Sequence, residues 1–144
     1  MTMIVAPVTK TLVLECTPER AFAVFTEEID TWWPIETHSV HGAGGRAHLD
    51  ERSMYEVSAS GDRNEWGTVL VWDPPSRIVM TWAPGEDKSV LTELEVRFTP
   101  HGDRTRFELI HRGWERWGET AEANRSGYDG GWDGVLAKYV AATS

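Results

Sequence analysis

Four runs of alternating apolar and polar residues follow one another closely between residues 65 and 112. They are Glu65 to Asp73 (EWGTVLVWD), Arg77 to Ala83 (RIVMTWA), Ser89 to Thr99 (SVLTELEVRFT) and Thr105 to Arg112 (TRFELIHR). Alternation with a period of two residues is typical of strands with one buried face. Because short turns rich in Pro and Gly separate the runs, the pattern predicts an antiparallel meander.

Patterns typical of helices flank the predicted strands. Val8 to Glu15 predicts a first strand, after which Thr17 is a suitable N-cap and Pro18 suits the first helical position. A short helix should follow, and Pro34 prevents it from continuing. At the other end, Glu119 to Tyr139 carries an apolar stripe with a period of 3.6 residues, which predicts a long helix.

The predicted C-terminal helix contains an unusual number of glycines: Gly127, Gly130, Gly131 and Gly134. Each costs about 0.8 to 1 kcal/mol relative to alanine in a helix interior, so together they cost roughly 3 to 4 kcal/mol. We expect either that a close approach of helix and sheet beside large aromatic residues compensates for this cost, or that the helix breaks near Asp129 to Gly131.

The two-residue period also assigns side chains to the faces of the sheet. In the last run, His111 shares the apolar face of Leu109, and Arg112 lies on the opposite face. In the first run, Leu70 and Trp72 are the favoured inward pair. A curved antiparallel sheet wrapped around the terminal helix buries both apolar faces, so we predict a single α+β domain over residues 1–144.

Charge and composition argue against several classes of protein. The net charge of −9 is unfavourable for nucleic acids and anionic membranes, both of which require clustered basic residues. No run reaches the roughly 18 apolar residues of a membrane span, and the N-terminus lacks the features of a secretory signal. The single cysteine, Cys16, excludes an internal disulfide, and we expect a buried structural thiol. These features predict a cytoplasmic protein.

Five segments, in order along the chain, resemble the START-like, or SRPBCC, superfamily. Its members have the birch-pollen-allergen-like helix-grip fold. The segments are TPERAFAVFTEEIDTWWP, AGGR, WGTVLVWDPPSRIVMTW, LEVRFTPHGDRTRFELIHRGW and YDGGWDGVLAKYV. Within it, the chain is most similar to the group named for homology to the C-terminal domain of the activator of a heat-shock-protein ATPase. This resemblance implies an antiparallel sheet around a long C-terminal helix, two short N-terminal helices, and a cavity between sheet and helix.

What the resemblance implies about activity is broader. Members of the superfamily include carriers of lipids and small apolar ligands, polyketide cyclases and aromatases, and co-chaperone domains. The co-chaperone role is not expected to apply to this chain. In the eukaryotic activators an additional N-terminal domain takes part in chaperone binding, and the 144 residues predict a single domain. Fold alone does not fix function.

Aromatic residues supply the main candidate site. The chain has eight tryptophans, and several fall where the resembled fold lines or rims its cavity. Such rings can form an apolar pocket for a planar ligand, or they can simply fill the core. The candidate ligand-binding residues are Trp33, Tyr55, Trp66, Trp82, His111, Trp114, Tyr128 and Trp132.

His111 is the candidate for proton transfer, because strand parity places its imidazole on an apolar face. The alternative is a histidine satisfied by a buried hydrogen bond. We predict no cofactor and no metal site, since His38, His41 and His48 lie in a loop without fixed tetrahedral geometry. Asp129 and Asp133 form an i, i+4 carboxylate pair that we expect to be solvated.

Three hypotheses follow. The leading one is a non-catalytic protein that binds a small, largely apolar or aromatic ligand, lipid-like or polyketide-like, between the sheet and the C-terminal helix. The second is a cyclase-type or hydratase-type enzyme that uses His111 with Tyr55 or Tyr128 for proton transfer. The third is a co-chaperone-like interaction module, including a homodimer in which exposed aromatic residues meet a partner.

Overall fold

The computed structural model describes residues 5–34, 45–83 and 90–144. The strands are β1 (Val8–Leu14), β2 (Arg46–Leu49), β3 (Ser53–Val57), β4 (Arg63–Asp73), β5 (Arg77–Trp82), β6 (Thr92–His101) and β7 (Arg104–Arg112). The helices are α1 (Pro18–Phe25), α2 (Ala121–Thr143) and two 3-10 segments, Ile29–Thr31 and Trp114–Thr120.

The seven strands form one antiparallel sheet in the order β1-β7-β6-β5-β4-β3-β2. Strands β2 to β7 are therefore a meander, and β1 adds to its β7 edge. The sheet curls as a half-barrel with the long C-terminal helix, which confirms the predicted α+β helix-grip fold. Where the resemblance implies two short N-terminal helices, the described residues 5–34 contain α1 and a single 3-10 turn.

Local sequence signals set the ends of α1. The Arg20 amide donates to Thr17 Oγ1 over 3.2 Å, and Pro18 occupies the first turn, as predicted. The hydroxyl of Thr26, just past the C-terminus, donates to the Phe22 carbonyl over 2.8 Å. Phe22 and Phe25 are buried, so α1 covers one end of the apolar sheet face.

Strand β4 departs from simple alternation. The pairing of β4 with β5 shifts register between Val69 and Val71, so Leu70 lies in a bulge and is 56% exposed. The prediction that Leu70 points inward is therefore wrong. Trp72 does point inward, and its ring centroid lies 5.2 Å from that of Phe22. A bulge inserts one residue, and every later side chain then changes face.

Gly67 marks a close approach between β4 and β5. A Cβ added there would lie 1.8 Å from the Thr81 carbonyl oxygen, so only glycine fits. Next to it, the Thr68 amide donates to Thr81 Oγ1 over 2.9 Å instead of continuing the regular ladder.

Helix α2 runs without a break from Ala121 to Thr143, through all of its glycines. A Cβ added at Gly127, Gly130, Gly131 or Gly134 would meet nothing within 4 Å. Neither of the two expected outcomes is observed. The glycines face open space instead of a closely packed sheet, and the helix does not break. Contacts elsewhere on α2 therefore offset the conformational free-energy cost of these glycines.

Charged side chains tie α2 to the first strand. Lys10 Nζ lies 2.8 Å from Asp129 and 2.9 Å from Asp133, so the two carboxylates share one cation although their side chains are 48% and 67% exposed. One turn earlier, Arg125 Nε donates to the Ala6 carbonyl over 2.7 Å. These contacts hold the N-terminal half of α2 against the β1 edge.

A carboxylate is buried on the outer face of the sheet. The Glu95 side chain is 3% exposed, and Arg77, Arg97 and Arg112 donate to it over 2.6 to 2.7 Å. Burial alone would raise the pKa of Glu95, but the three guanidinium groups together lower it to about 2. The predicted outward orientation of Arg112 is confirmed, and this network links β5, β6 and β7.

Candidate functional site

Seven ring side chains form one contiguous group between the sheet and α2, here called the aromatic cluster. Neighbouring ring centroids within it lie 4.2 to 6.5 Å apart. Its members are Trp33 after the first 3-10 turn, Trp66 on β4, Trp82 on β5, His111 on β7, Trp114 in the second 3-10 segment, and Tyr128 and Trp132 on α2.

Burial varies across the aromatic cluster. Trp66, His111 and Trp114 are at most 1% exposed, whereas Trp33 is 8% exposed. Tyr128 is only half-buried. The aromatic cluster therefore meets the surface at Tyr128.

His111 lies at the centre of a hydrogen-bonded chain. Its Nδ1 is 3.1 Å from Trp132 Nε1, and its Nε2 is 2.7 Å from Thr92 Oγ1. Thr92 Oγ1 in turn lies 3.2 Å from the Trp82 carbonyl oxygen. The inward orientation predicted for His111 is confirmed, since the side chain is fully buried.

The direction of each hydrogen bond follows from the chemistry of the partners. An indole N–H only donates, so Trp132 makes His111 Nδ1 an acceptor without a proton. The neutral imidazole then carries its proton on Nε2 and donates it to Thr92 Oγ1. The Thr92 hydroxyl donates its own hydrogen bond to the Trp82 carbonyl, so this series of hydrogen bonds fixes one tautomer of His111.

Burial lowers the pKa of His111 to about 3. Protonation of Nδ1 would also break the hydrogen bond from Trp132. The imidazole is therefore neutral at ordinary pH, and both nitrogens are occupied within the protein. This is the arrangement of a satisfied structural histidine, which was the alternative to a proton-transfer role.

Tyr128 differs from Trp82, His111 and Trp132 because its O–H hydrogen is not donated to an acceptor among the described residues. Its hydroxyl oxygen accepts from Trp82 Nε1 over 3.3 Å. Its ring lies edge-on to His111 at 5.0 Å and packs on Trp114 at 5.3 Å. Burial raises the pKa of the phenol, partly opposed by the Trp82 hydrogen bond, so the group remains protonated.

The other end of the aromatic cluster holds a buried carboxyl group. Trp66 Nε1 donates to Glu56 Oε1 over 3.2 Å, and Glu56 is fully buried. The predicted ligand-binding residues did not include Thr92, although strand parity places it with Leu94 on the buried face of β6. Glu56 was considered only as a polar group that could converge with Tyr55 and Tyr128, and it shares the buried face of β3 with Met54.

Tyr55 is not brought to the aromatic cluster. Its ring stacks on His48 with a centroid distance of 5.0 Å, and the Arg63 guanidinium lies 3.6 Å above the ring centroid. Tyr55 and Glu56 are adjacent on β3, so one faces outward while the other faces inward. Trp114, expected to line or rim a cavity, is instead completely buried and donates to the His111 carbonyl over 2.9 Å.

The remaining predicted features carry less chemistry. His38 and His41 lie outside the described residues, and within those residues no group of three or more His, Cys, Asp or Glu side chains is placed to hold a metal ion. Cys16 is half-buried, and burial raises the pKa of its thiol. Among the described residues, no helix combines the length and the apolar character required to cross a membrane.

An open groove of about 250 Å³ lies apart from the aromatic cluster. It runs between the end of α1 and the β2–β3 turn. Its lining residues are Thr26, Glu27, Leu49, Asp50, Glu51 and Trp72. Three of these carry carboxylates, so the groove is acidic whereas the aromatic cluster is largely apolar.

Residues 15–142 match the family model of the activator of Hsp90 ATPase homolog 1-like proteins, AHSA1. The chain is a member of the AHSA1 family. This agrees with the superfamily expected from the sequence segments. None of the curated proteins searched matches the chain.

Several solved structures are similar to this AHSA1 member, and the proteins they represent differ in function. One is an anthrahydroquino-γ-pyrone synthase, Txn09, complexed with a compound designated SUM; it is 32% identical, with 96% of this chain and 97% of that chain covered and a TM-score of 0.63. CalC from Micromonospora echinospora, a self-sacrificing resistance protein, is 24% identical, with coverages of 94% and 92% and a TM-score of 0.71. An Hsp90 activator from Plasmodium falciparum is 20% identical, with coverages of 74% and 72% and a TM-score of 0.54. The last two similarities concern the fold alone.

Proposed function

We propose that this AHSA1 member binds a small, largely apolar or aromatic ligand against the aromatic cluster. The observation that carries the proposal is the contiguity of Trp33, Trp82 and Trp132, whose ring centroids lie 5.5 to 6.1 Å apart and which come from three separate segments of the chain. A core can be filled with aliphatic residues, so a contiguous group of buried indoles next to the half-buried Tyr128 favours recognition of flat rings.

The polar atoms of the indoles support the same class of ligand. Trp66, Trp82, Trp114 and Trp132 each donate their N–H to a protein acceptor. Because these N–H groups are occupied within the protein, a ligand is expected to contact the rings rather than their N–H groups. A planar apolar molecule gains most from such contact, through stacked or edge-on packing.

The synthase relative supports an aromatic ligand. It is an anthrahydroquino-γ-pyrone synthase, it is 32% identical to this chain over nearly the full length of both, and its structure is a complex with SUM. A fused planar ring system is therefore the favoured ligand class. The Hsp90 activator supports only the fold, so we do not extend the proposal to a chaperone partner.

Fluorene, a planar hydrocarbon, tests the proposal. Equilibrium dialysis should detect binding to the wild type, and Trp132→Ala should weaken it about tenfold, since aromatic packing is worth about 0.5 to 1.5 kcal/mol beyond the area buried. Trp117→Ala is the matched control, because Trp117 is only partly buried and lies outside the aromatic cluster. Absence of binding, or equal weakening by both substitutions, would contradict the proposal.

Catalysis is a second candidate, favoured by the synthase relative. The geometry does not favour His111 as its acid or base, because both ring nitrogens are occupied. Tyr128 is the better candidate for proton donation, since its phenol is protonated and half-buried. Conversion of a hydroxylated polycyclic ketone that disappears in Tyr128→Phe would support an enzyme, whereas conversion that persists there would exclude this residue.

A further inference from the structure

We propose that Tyr128 is the hydrogen-bond donor that makes the aromatic cluster prefer ligands with an uncharged carbonyl oxygen, an inference that rests on the proposed function. The ligand class is thereby narrowed from planar hydrocarbons to planar ketones and quinones. His111 has no part in this contact and serves to position the rings around it.

The first support is that the Tyr128 hydroxyl accepts a hydrogen bond but donates none among the described residues. Its oxygen accepts from Trp82 Nε1, which places the group against the ring of a buried cluster member. The phenolic hydrogen has no acceptor assigned among the residues that the structure describes. A phenol is both donor and acceptor, so this hydrogen is available to a ligand oxygen.

The second support is that the neighbouring N–H and O–H donors are already occupied. Trp132 Nε1 donates to His111, the neutral His111 donates to Thr92, and Thr92 donates to the Trp82 carbonyl. A ligand could take one of these protons only by leaving a buried protein acceptor unpaired, which costs about 1 to 3 kcal/mol. Tyr128 can donate without such a loss.

The third support is that the Tyr128 ring is held in place. It contacts the rings of His111, Trp114 and Trp132 with centroid distances of 5.0, 5.3 and 6.5 Å. Three buried neighbours restrict the direction of the hydroxyl, which favours a ligand oxygen in one position. Because the donor is neutral, one hydrogen bond from it does not offset the desolvation of a ligand carboxylate, whereas the desolvation of an uncharged carbonyl costs far less.

Fluorene and 9-fluorenone are the probes, since both are planar and uncharged and differ by one carbonyl oxygen. Equilibrium dialysis gives the affinity of each for the wild type and for Tyr128→Phe, which preserves the ring. We expect Tyr128→Phe to lower the ratio of fluorenone affinity to fluorene affinity about 3-fold to 10-fold, the value of one hydrogen bond.

Tyr139→Phe is the matched control. Its hydroxyl donates to the Ala21 carbonyl over 2.7 Å and lies outside the aromatic cluster, so its loss should lower stability but not the fluorenone preference. An equal affinity ratio in the wild type and Tyr128→Phe would overturn the inference while leaving the proposed function intact. Failure of both probes to bind the folded wild type would overturn both. Thermal unfolding confirms that each variant is folded.

Discussion

The neutral, fully hydrogen-bonded state of His111 has a measurable consequence for stability. Its pKa is lowered from 6.5 to about 3 in the folded protein. Between these values the unfolded chain binds a proton that the folded protein does not, so stability rises with pH in this window. The contribution is fully present above about pH 6.5 and is lost progressively as the pH falls towards 3.

The size of the effect follows from the two pKa values. Each unit of pKa difference is worth about 1.4 kcal/mol, and a group that starts to titrate at 6.5 has lost about 2 kcal/mol by pH 5.0. Glu95 contributes little to the pH dependence of stability in this range, because its pKa is lowered from 4.5 to about 2 and its effect falls at lower pH. The interval from pH 7.5 to 5.0 therefore lies above the range in which Glu95 acts.

Urea unfolding followed by tryptophan fluorescence measures the effect. We expect the wild type to lose about 2 kcal/mol more than His111→Gln between pH 7.5 and 5.0, even though the variant is less stable at both. The comparison cancels the titration of other histidines. Equal losses in the two proteins, or a histidine NMR titration of His111 with a midpoint near 6.5, would refute the assigned tautomer and burial.

Further expectations concern the helix, the sheet and the ion-pair network. Replacing Gly127, Gly130 and Gly134 together by alanine should stabilise the protein by about 2 to 3 kcal/mol and raise its Tm by roughly 5 to 12 °C in calorimetry, because open space surrounds each site; no gain would mean that α2 needs these glycines. Gly67→Ala should cost about 1 to 3 kcal/mol in urea unfolding, and a neutral result would contradict the close approach of β4 and β5. Glu95→Gln should cost about 2 to 3 kcal/mol at neutral pH. The wild type should lose this advantage as the pH falls from 4.5 to about 2, and a variant with the same acid profile would exclude the role of Glu95.

The sheet and the position of His111 could be predicted because both depend on local periodicity. Alternation fixed the meander and turned His111 towards Leu109, and both are confirmed. Where a bulge interrupts alternation, the same reasoning fails, as at Leu70. Bulges depend on how two strands meet, so the sequence of β4 alone does not reveal the one at Leu70.

The partners within the site could not be predicted, because they depend on contacts between distant residues. His111 meets Thr92 and Trp132, which lie 19 and 21 residues away in sequence. Tyr55 was grouped with Tyr128 by residue type, yet the pleat of β3 directs it to the other face. The proposed homodimer and the cytoplasmic location stay predictions.

The most direct test of the account is a crystal structure of the protein with 9-fluorenone. We expect the ligand to contact Trp82 and Trp132, with its carbonyl oxygen within hydrogen-bonding distance of the Tyr128 hydroxyl. A ligand bound instead in the acidic groove beside Trp72, away from the aromatic cluster, would contradict the central claim.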